Sequence, residues 1–222
     1  MQKMHWGGGL LAMVAMGIWY VQSPTASTQW LPKKDLAQLD DVPWKDGDLI
    51  FQTSLSSQSR AIQLATHSAY SHCGLLFQQK GKWYVLEAVQ PVKSTPLAAW
   101  IKRGKDGHYV LKRLKNAQNI LNSTVLQKMQ AVGKSFLGKK YDLTFEWSDD
   151  KIYCSELIWK VYQRGAGIEI GPLQRLRDFD LTHPTVQQKM RERYGANLPL
   201  DEYVISPAAL FDAELLETVS NN

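Results

Sequence analysis

The stretch "YSHCGLLFQQKGKWYVLEAV" (residues 70–89) constrains the fold more than any other part of the chain. Two strand-like runs rich in Leu, Phe, Tyr and Val flank a polar turn from Gln79 to Lys82, the pattern of an antiparallel hairpin. That geometry has a consequence for chemistry. His72 falls early in the first strand and Glu87 late in the second, across from His72 or Gly74. Strand side chains alternate with period two, so in either register His72 and Glu87 share a face as cross-strand or diagonal neighbours. Glu87 interrupts "WYVLEAV", which otherwise reads as a buried strand, and a buried carboxylate requires a charged or hydrogen-bonding partner. His72 is the nearest candidate.

Around the hairpin, local patterns predict strands with helices between and after them. Asp46-Gly47 makes a turn into a strand over 48–53, and "SSQSRAIQLATH" reads as a helix capped by Ser56 or Ser57. "STPLAAWI" reads as a short capped helix and "HYVLKRL" as a strand. Residues 123–138 form an amphipathic helix with Ser123 as cap, Val125, Leu126, Met129, Val132 and Phe136 on one face, and Gly138 as stop. A polar helix over about 184–194, a strand-like "DEYVIS" and a helix opened by Ser206-Pro207 follow. With an antiparallel hairpin at its centre, this order predicts an α+β fold rather than a doubly wound parallel sheet.

The chain has two cysteines. Cys154, in "KIYCSELIWKVY", opens a helix that carries Leu157, Ile158, Val161 and Tyr162 and ends at Gly165 to Gly167. The positive end of the helix dipole favours thiolate over thiol there, and the thiolate is the nucleophilic form. A nucleophile needs a base within reach and a third group to orient that base, roles that His72 and Glu87 suit. Cys73 follows His72 on the strand, so its side chain is expected on the opposite face, packed with Leu75 and Phe77. On that reading a Cys73–Cys154 disulfide and a Cys154–His72 dyad exclude one another, and the dyad is favoured.

The N-terminus differs from the rest. Lys3 and His5 precede the uncharged "WGGGLLAMVAMGIWYV", followed by "QSPTASTQ". A positive start, an apolar stretch and small residues mark an export signal or an uncleaved anchor over residues 1–26. The apolar stretch is near the short limit of the roughly 17–25 residues that a spanning helix needs. Residues 27–45 read as a linker and 46–222 as one domain. The formal net charge of +5 is modest and its lysines and arginines are scattered, which speaks against nucleic acid as a partner.

These residues resemble the NlpC-type papain-like hydrolases of permuted topology, the YiiX/YebB-like lineage. The resemblance rests on Gly47-Asp48, "SQSRAIQLATHSAYSHCG", "LEAVQPVKSTPL", Gly138 with Tyr141-Asp142, and "YCSELIWKVY", in the family's order over about residues 46–215. It implies a permuted papain-like fold, with an antiparallel sheet or barrel packed against the helix that bears the cysteine. It further implies Cys154 as nucleophile, His72 as base and then acid, and Glu87 as orienting residue. The reaction implied is hydrolysis of an amide through a thioester acyl-enzyme, without cofactor. The expected substrate is a cell-wall peptide; the alternatives are a lipid-linked acyl group handled by the same triad, or an idle envelope module that only binds. Tyr70 and Tyr153 are expected to border the pocket, Tyr141 to contact substrate, and a backbone N–H near Cys154 to serve as oxyanion donor. The expected setting is the periplasm or the outer face of a bacterial inner membrane, with possible membrane association through the N-terminus and a monomeric state.

Other chemistry is less well supported. Cys73, Cys154, His67, His72 and Glu87 lack metal-ligand spacing, so no metal site is expected. Ser155 lacks the G-x-S-x-G elbow. His108 and His183 read as surface or satisfied residues, Asp142, Asp149 and Asp150 as solvated loop positions, and Trp83, Trp100, Trp147 and Trp159 as core.

Overall fold

Apolar and β-branched residues after the Asp46-Gly47 turn form β1 (Leu49–Gln52), which is buried along its whole length. The computed structural model describes residues 41–222; the expected export segment and residues 27–40 of the linker lie outside the described residues. After β1 come α1 (Ser59–Thr66), β2 (His72–Gln79), β3 (Lys82–Glu87), β4 (Lys93–Pro96) and α2 (Leu97–Arg103). Next are β5 (Val110–Leu114), α3 (Ala117–Ile120), α4 (Ser123–Ser135), β6 (Lys140–Tyr141) and β7 (Lys151–Ile152). The chain closes with α5 (Cys154–Ala166), β8 (Gln174–Arg175), α6 (Pro184–Tyr194), β9 (Tyr203–Val204), α7 (Pro207–Phe211) and β10 (Leu216–Asn221).

One six-stranded sheet runs in the order β10-β5-β1-β2-β3-β4, with every neighbour antiparallel. The mixed α+β architecture expected from the sequence is the one observed. At the β2–β3 hairpin, Gln79 pairs with Lys82 and the two-residue turn Lys80-Gly81 has φ of 49° and 76°. Left-handed backbone at both turn positions matches the right-handed twist of the flanking strands, and Gly81 meets the demand without steric cost.

The faces of β2 sort the core. Cys73, Leu75 and Phe77 belong to the larger apolar cluster, together with Leu157, Ile158, Val161 and Tyr162 of α5 and Met129 of α4. Gly165 of α5 lies against Met129, where an added Cβ would come within 2.6 Å of that residue's backbone, so the two helices approach closely. The other face of β2 turns Leu76 toward Val85, Leu97, Trp100 and Ile101, a smaller cluster under α2. At the sheet's centre the buried Asp48 accepts two hydrogen bonds from Arg113, both 2.7 Å. Tyr162 of α5 donates its hydroxyl proton to the Gly47 carbonyl. The Gly47-Asp48 motif is therefore a structural anchor that ties α5 to β1.

Helix ends depart from the expected caps. Asn122, not Ser123, caps α4, its side chain accepting from the Val125 N–H at 3.1 Å. Gln58 stands at the N-terminus of α1 without a side-chain cap bond, in place of Ser56 or Ser57. The residues Ser94 to Pro96, expected to open a helix, lie in the edge strand β4, and α2 begins only at Leu97. Ser206 caps α7 as expected, accepting from the Ala209 N–H at 3.0 Å.

Candidate active site

Glu87 is the last residue of β3 and has no exposed surface. A charge in that position requires donors, and four converge on it. The His72 Nε2–H lies 2.7 Å from Oε2 and the Thr95 hydroxyl 2.6 Å from Oε1. Trp100 Nε1–H donates to Oε2 at 3.0 Å, and the Arg103 guanidinium adds an ion pair. Burial alone would raise this carboxyl, but the hydrogen bonds from His72, Arg103 and Thr95 outweigh it and hold its pKa at about 2. The register Leu75↔Leu86 places Glu87 level with Gly74, one step along the ladder and diagonal to His72. Gly74 is bare for a reason: an added Cβ would come within 2.1 Å of Val85 Cγ1 and 3.6 Å of Trp100 Nε1.

His72, at the start of β2, is only 7% exposed, and its ring stacks on Trp100 with centroids 5.8 Å apart. With Nε2 committed to Glu87, Nδ1 is the ring nitrogen left for Cys154, whose sulfur acts on the imidazole's titration. Burial opposes charging the imidazole. The bonds to Cys154 and Glu87 overcome that penalty and raise its pKa to about 9.

Cys154 is the first residue of α5, whose N-cap is Tyr153. Its thiol is held well below the usual range, first by a hydrogen bond from the Cys73 side chain, then by His72 and the Cys73 backbone N–H, all against burial. The Cys73 thiol is correspondingly pushed well up, by burial and by the neighbouring Cys154 charge, so it is the proton donor of the two. Both cysteines are free. The expectation that Cys73 faces away from Cys154 is corrected here. Cys73 does pack with Leu75 and Phe77, but the start of α5 lies on that same face. It is His72 that reaches the sulfur from the other face, at the strand's end. Contact with one cysteine and contact with the histidine are therefore compatible.

Further along α5, Glu156 pairs with Lys160 at 2.7 Å and accepts from the Tyr153 N–H at 3.4 Å. Burial pushes its carboxyl up to about 8 despite Lys160, which reduces the negative charge set against the Cys154 sulfur. Asp142, expected as a solvated loop residue, has no exposed surface and accepts from the N–H and hydroxyl of Thr144, both 2.8 Å. Asp149 does reach solvent and pairs with Lys160 and Arg164.

Two clefts meet at this centre. The first is lined by Cys154 and by apolar side chains that include Ala61, Ile62, Leu176, Val186 and Met190. The second is polar and lined by His72, with Ser71, Gln90, Arg103 and Lys140 among its walls. Gln58, Tyr141 and Arg193 border both. Gln58 Nε2–H donates to the Tyr141 hydroxyl at 2.8 Å, and Arg193 donates to Gln58 Oε1. Burial, and then the charge on Cys154, push the Tyr141 phenol up and keep it neutral. Tyr153 borders the apolar cleft with its hydroxyl accepting from the Ile205 N–H at 3.1 Å. Tyr70 lines neither cleft; it stacks on Phe211 with centroids 4.3 Å apart.

Thr95, Trp100, Arg103 and Gln58 are the site residues that local sequence patterns do not single out. His67 pairs with Asp180 at 3.3 Å, and His183 accepts from the Thr185 N–H at the start of α6. Among the described residues no group of three or more His, Cys, Asp and Glu side chains is placed to hold a metal ion.

The arrangement is one that can store a nucleophile. Cys73 and His72 favour the thiolate of a buried sulfur, and the imidazole that can hold its proton is braced by a buried carboxylate. Comparison with known proteins agrees with such chemistry. Residues 43–220 match the model of a family described as "Permuted papain-like amidase enzyme, YaeF/YiiX, C92 family". The chain is 53% identical over 174 residues to the uncharacterized protein YiiX of Escherichia coli K12, covering 78% of this chain and 85% of that protein. The crystal structure of the metalloprotein YiiX from Escherichia coli O157:H7 superposes with a TM-score of 0.77 at 53% identity, covering 80% of this chain and 97% of that one.

Proposed function

This chain belongs to the permuted papain-like amidase family and is a cysteine hydrolase, and we propose that it cleaves an amide through Cys154, His72 and Glu87. The observation that carries the assignment is the buried His72–Glu87 pair, 2.7 Å apart at Nε2, set beside Cys154 at the start of α5, where thiol and imidazole each shift the other toward its charged form. The thiolate attacks the carbonyl carbon and forms a thioester as the C–N bond breaks. The His72 imidazolium passes its proton to the departing amine. Water, deprotonated by His72, then releases the acyl group as a carboxylate and restores the thiol proton to the pair. Glu87 keeps the Nε2–H fixed and stabilises the imidazolium throughout.

The cleft at Cys154 bears on the substrate. A cell-wall stem peptide, the first expectation from sequence, is polar and charged. The apolar walls supplied by Ile62, Leu176, Val186 and Met190 favour the second expectation, an apolar acyl group such as that of a lipid. The apolar N-terminal stretch supports a place in the cell envelope, where such acyl amides are met.

The test is turnover of acyl amides of rising chain length, with acyl-enzyme trapped and located by peptide mass spectrometry. Wild type is expected to prefer long acyl chains and to carry the adduct on Cys154, and Cys154→Ala to lose both. Turnover that persists in Cys154→Ala refutes the mechanism, and indifference to chain length refutes the acyl assignment.

A further inference from the structure

The two clefts divide the substrate between them. In the proposed reaction the sulfur keeps the acyl part, and the amine leaves on the side of the imidazole that protonates it. Cys154 lines the apolar cleft and His72 the polar one, so the polar cleft is where the departing amine sits.

That cleft is strongly biased in charge. Arg103, Lys140, Lys151 and Arg193 line it against one carboxylate, Glu192, whose two oxygens are already bonded to Gln188 and Lys189. Arg103 is compensated by Glu87. Arg193 bonds to a neutral amide and lies 4.7 Å over the Phe145 ring. Lys140 and Lys151 are the telling pair. They stand opposite one another in the register of β6 and β7, both are exposed, and neither has an ion-pair partner among the described residues. Like charges directly opposite on paired strands repel. An anion between them would remove that repulsion, and the cleft offers room for one beside His72.

Building on the amidase reading above, we propose that the amine released by this chain carries an anionic group, a carboxylate or a phosphate, seated between Lys140 and Lys151. The substrate class is thus an N-acyl amine with an apolar acyl chain on one side of the scissile bond and a negative charge on the other. The carbonyl carbon bonds to sulfur, the C–N bond breaks, and the amine takes its proton from His72, as in the parent reaction.

The experiment compares four amides of decanoic acid with the full chain: those of glycine, O-phosphoethanolamine, ethanolamine and ethylenediamine. p-Nitrophenyl decanoate, whose leaving group makes no demand on the basic cleft, reports acylation of Cys154 separately. The anionic amides are expected to exceed the neutral one in kcat/KM by about tenfold, with the cationic amide slowest and the preference shrinking as salt rises. Preference for the glycine amide alone assigns a carboxylate, for the phosphoethanolamine amide alone a phosphate, and either supports the proposal. In Lys140→Glu/Lys151→Glu the ratio of anionic to neutral kcat/KM should collapse, a readout that a general loss of activity does not move. Equal rates for all four amides in wild type, with the ester still hydrolysed, overturn the anionic leaving group and leave the amidase reading standing. A preference that survives the double substitution overturns the site. Failure on ester and amides alike overturns the amidase reading and this inference with it.

Discussion

Replacing Glu87 by Gln removes one negative charge from a fully buried position while keeping the side chain's size. The carboxyl sits at about 2 against an ordinary 4.5. That difference of about 2.5 units corresponds to about 3 kcal/mol of stability at neutral pH that depends on the ionised group. Because the folded value is depressed, this stability is fully present above about 4.5 and is lost as pH falls through 2. At pH 3 about 1.4 kcal/mol of it remains. The gap between wild type and Glu87→Gln should therefore be about 3 kcal/mol at pH 7, or about 6–12 °C in Tm for a domain of this size. It should then narrow to less than half by pH 3.

Chemical denaturation of both proteins at several pH values reads this directly, since titratable groups other than Glu87 and its partner His72 cancel in the difference. The donors left behind sharpen the effect, because a Gln amide presents N–H groups to a site built of N–H and O–H donors from His72, Thr95, Trp100 and Arg103. A gap below about 1 kcal/mol at pH 7, or one that stays constant down to pH 3, refutes the claim that Glu87 is an ionised, donor-saturated brace.

Alkylation gives a second set of outcomes. Cys154 is expected to react with iodoacetamide well below the pH of an ordinary thiol, and Cys73 to stay unlabelled until the protein unfolds. Cys73→Ala and His72→Ala should each move the Cys154 profile to higher pH, and a profile that moves in neither refutes the donor set. Because the His72 value is raised to about 9, its charge persists below that pH and is lost above it, so amidase activity should fall off on the alkaline side near 9. A pH–rate profile with no limb in that region refutes the ion pair. Gly74→Ala places a Cβ 2.1 Å from Val85 Cγ1 and should cost about 1–3 kcal/mol through overpacking. It should also lower kcat, since Glu87 is level with Gly74, and a variant with unchanged melting and rate shows that the close approach is unimportant.

Which features were legible in the sequence follows from the distance over which each is determined. The β2–β3 hairpin, α4, α5 and the cap at Ser206 follow from residues within a few positions of one another, and local patterns locate them. The sheet order does not. β10 joins the sheet beside β5 from the far end of the chain, and β4 is a four-residue edge strand whose polar "KSTP" has no alternation to mark it. Lone Ser residues near Gln58 and Asn122 look equally able to cap. The choice is made by where the following helix must pack, which only the tertiary structure decides.

The same division runs through the site. Glu87 stood out because an acid in an apolar strand requires a partner, and His72 was the partner that strand geometry offered. Thr95, Trp100 and Arg103 were hidden, since each reaches Glu87 from a separate element and each has an ordinary reason to exist in β4 or α2. Cys73 is the more instructive case. Alternation along β2 correctly sends Cys73 and His72 to opposite faces, yet the conclusion that only one of them can meet Cys154 does not follow. The helix start lies at the end of the strand, where both faces are within reach. A sulfur placed there is approached by the thiol and backbone N–H of Cys73, the second residue of β2, on one side and by the imidazole around the strand's edge on the other. Two cysteines in contact need not be read as a disulfide. Here the second thiol is the more basic of the pair and its proton is what steadies the first as a thiolate.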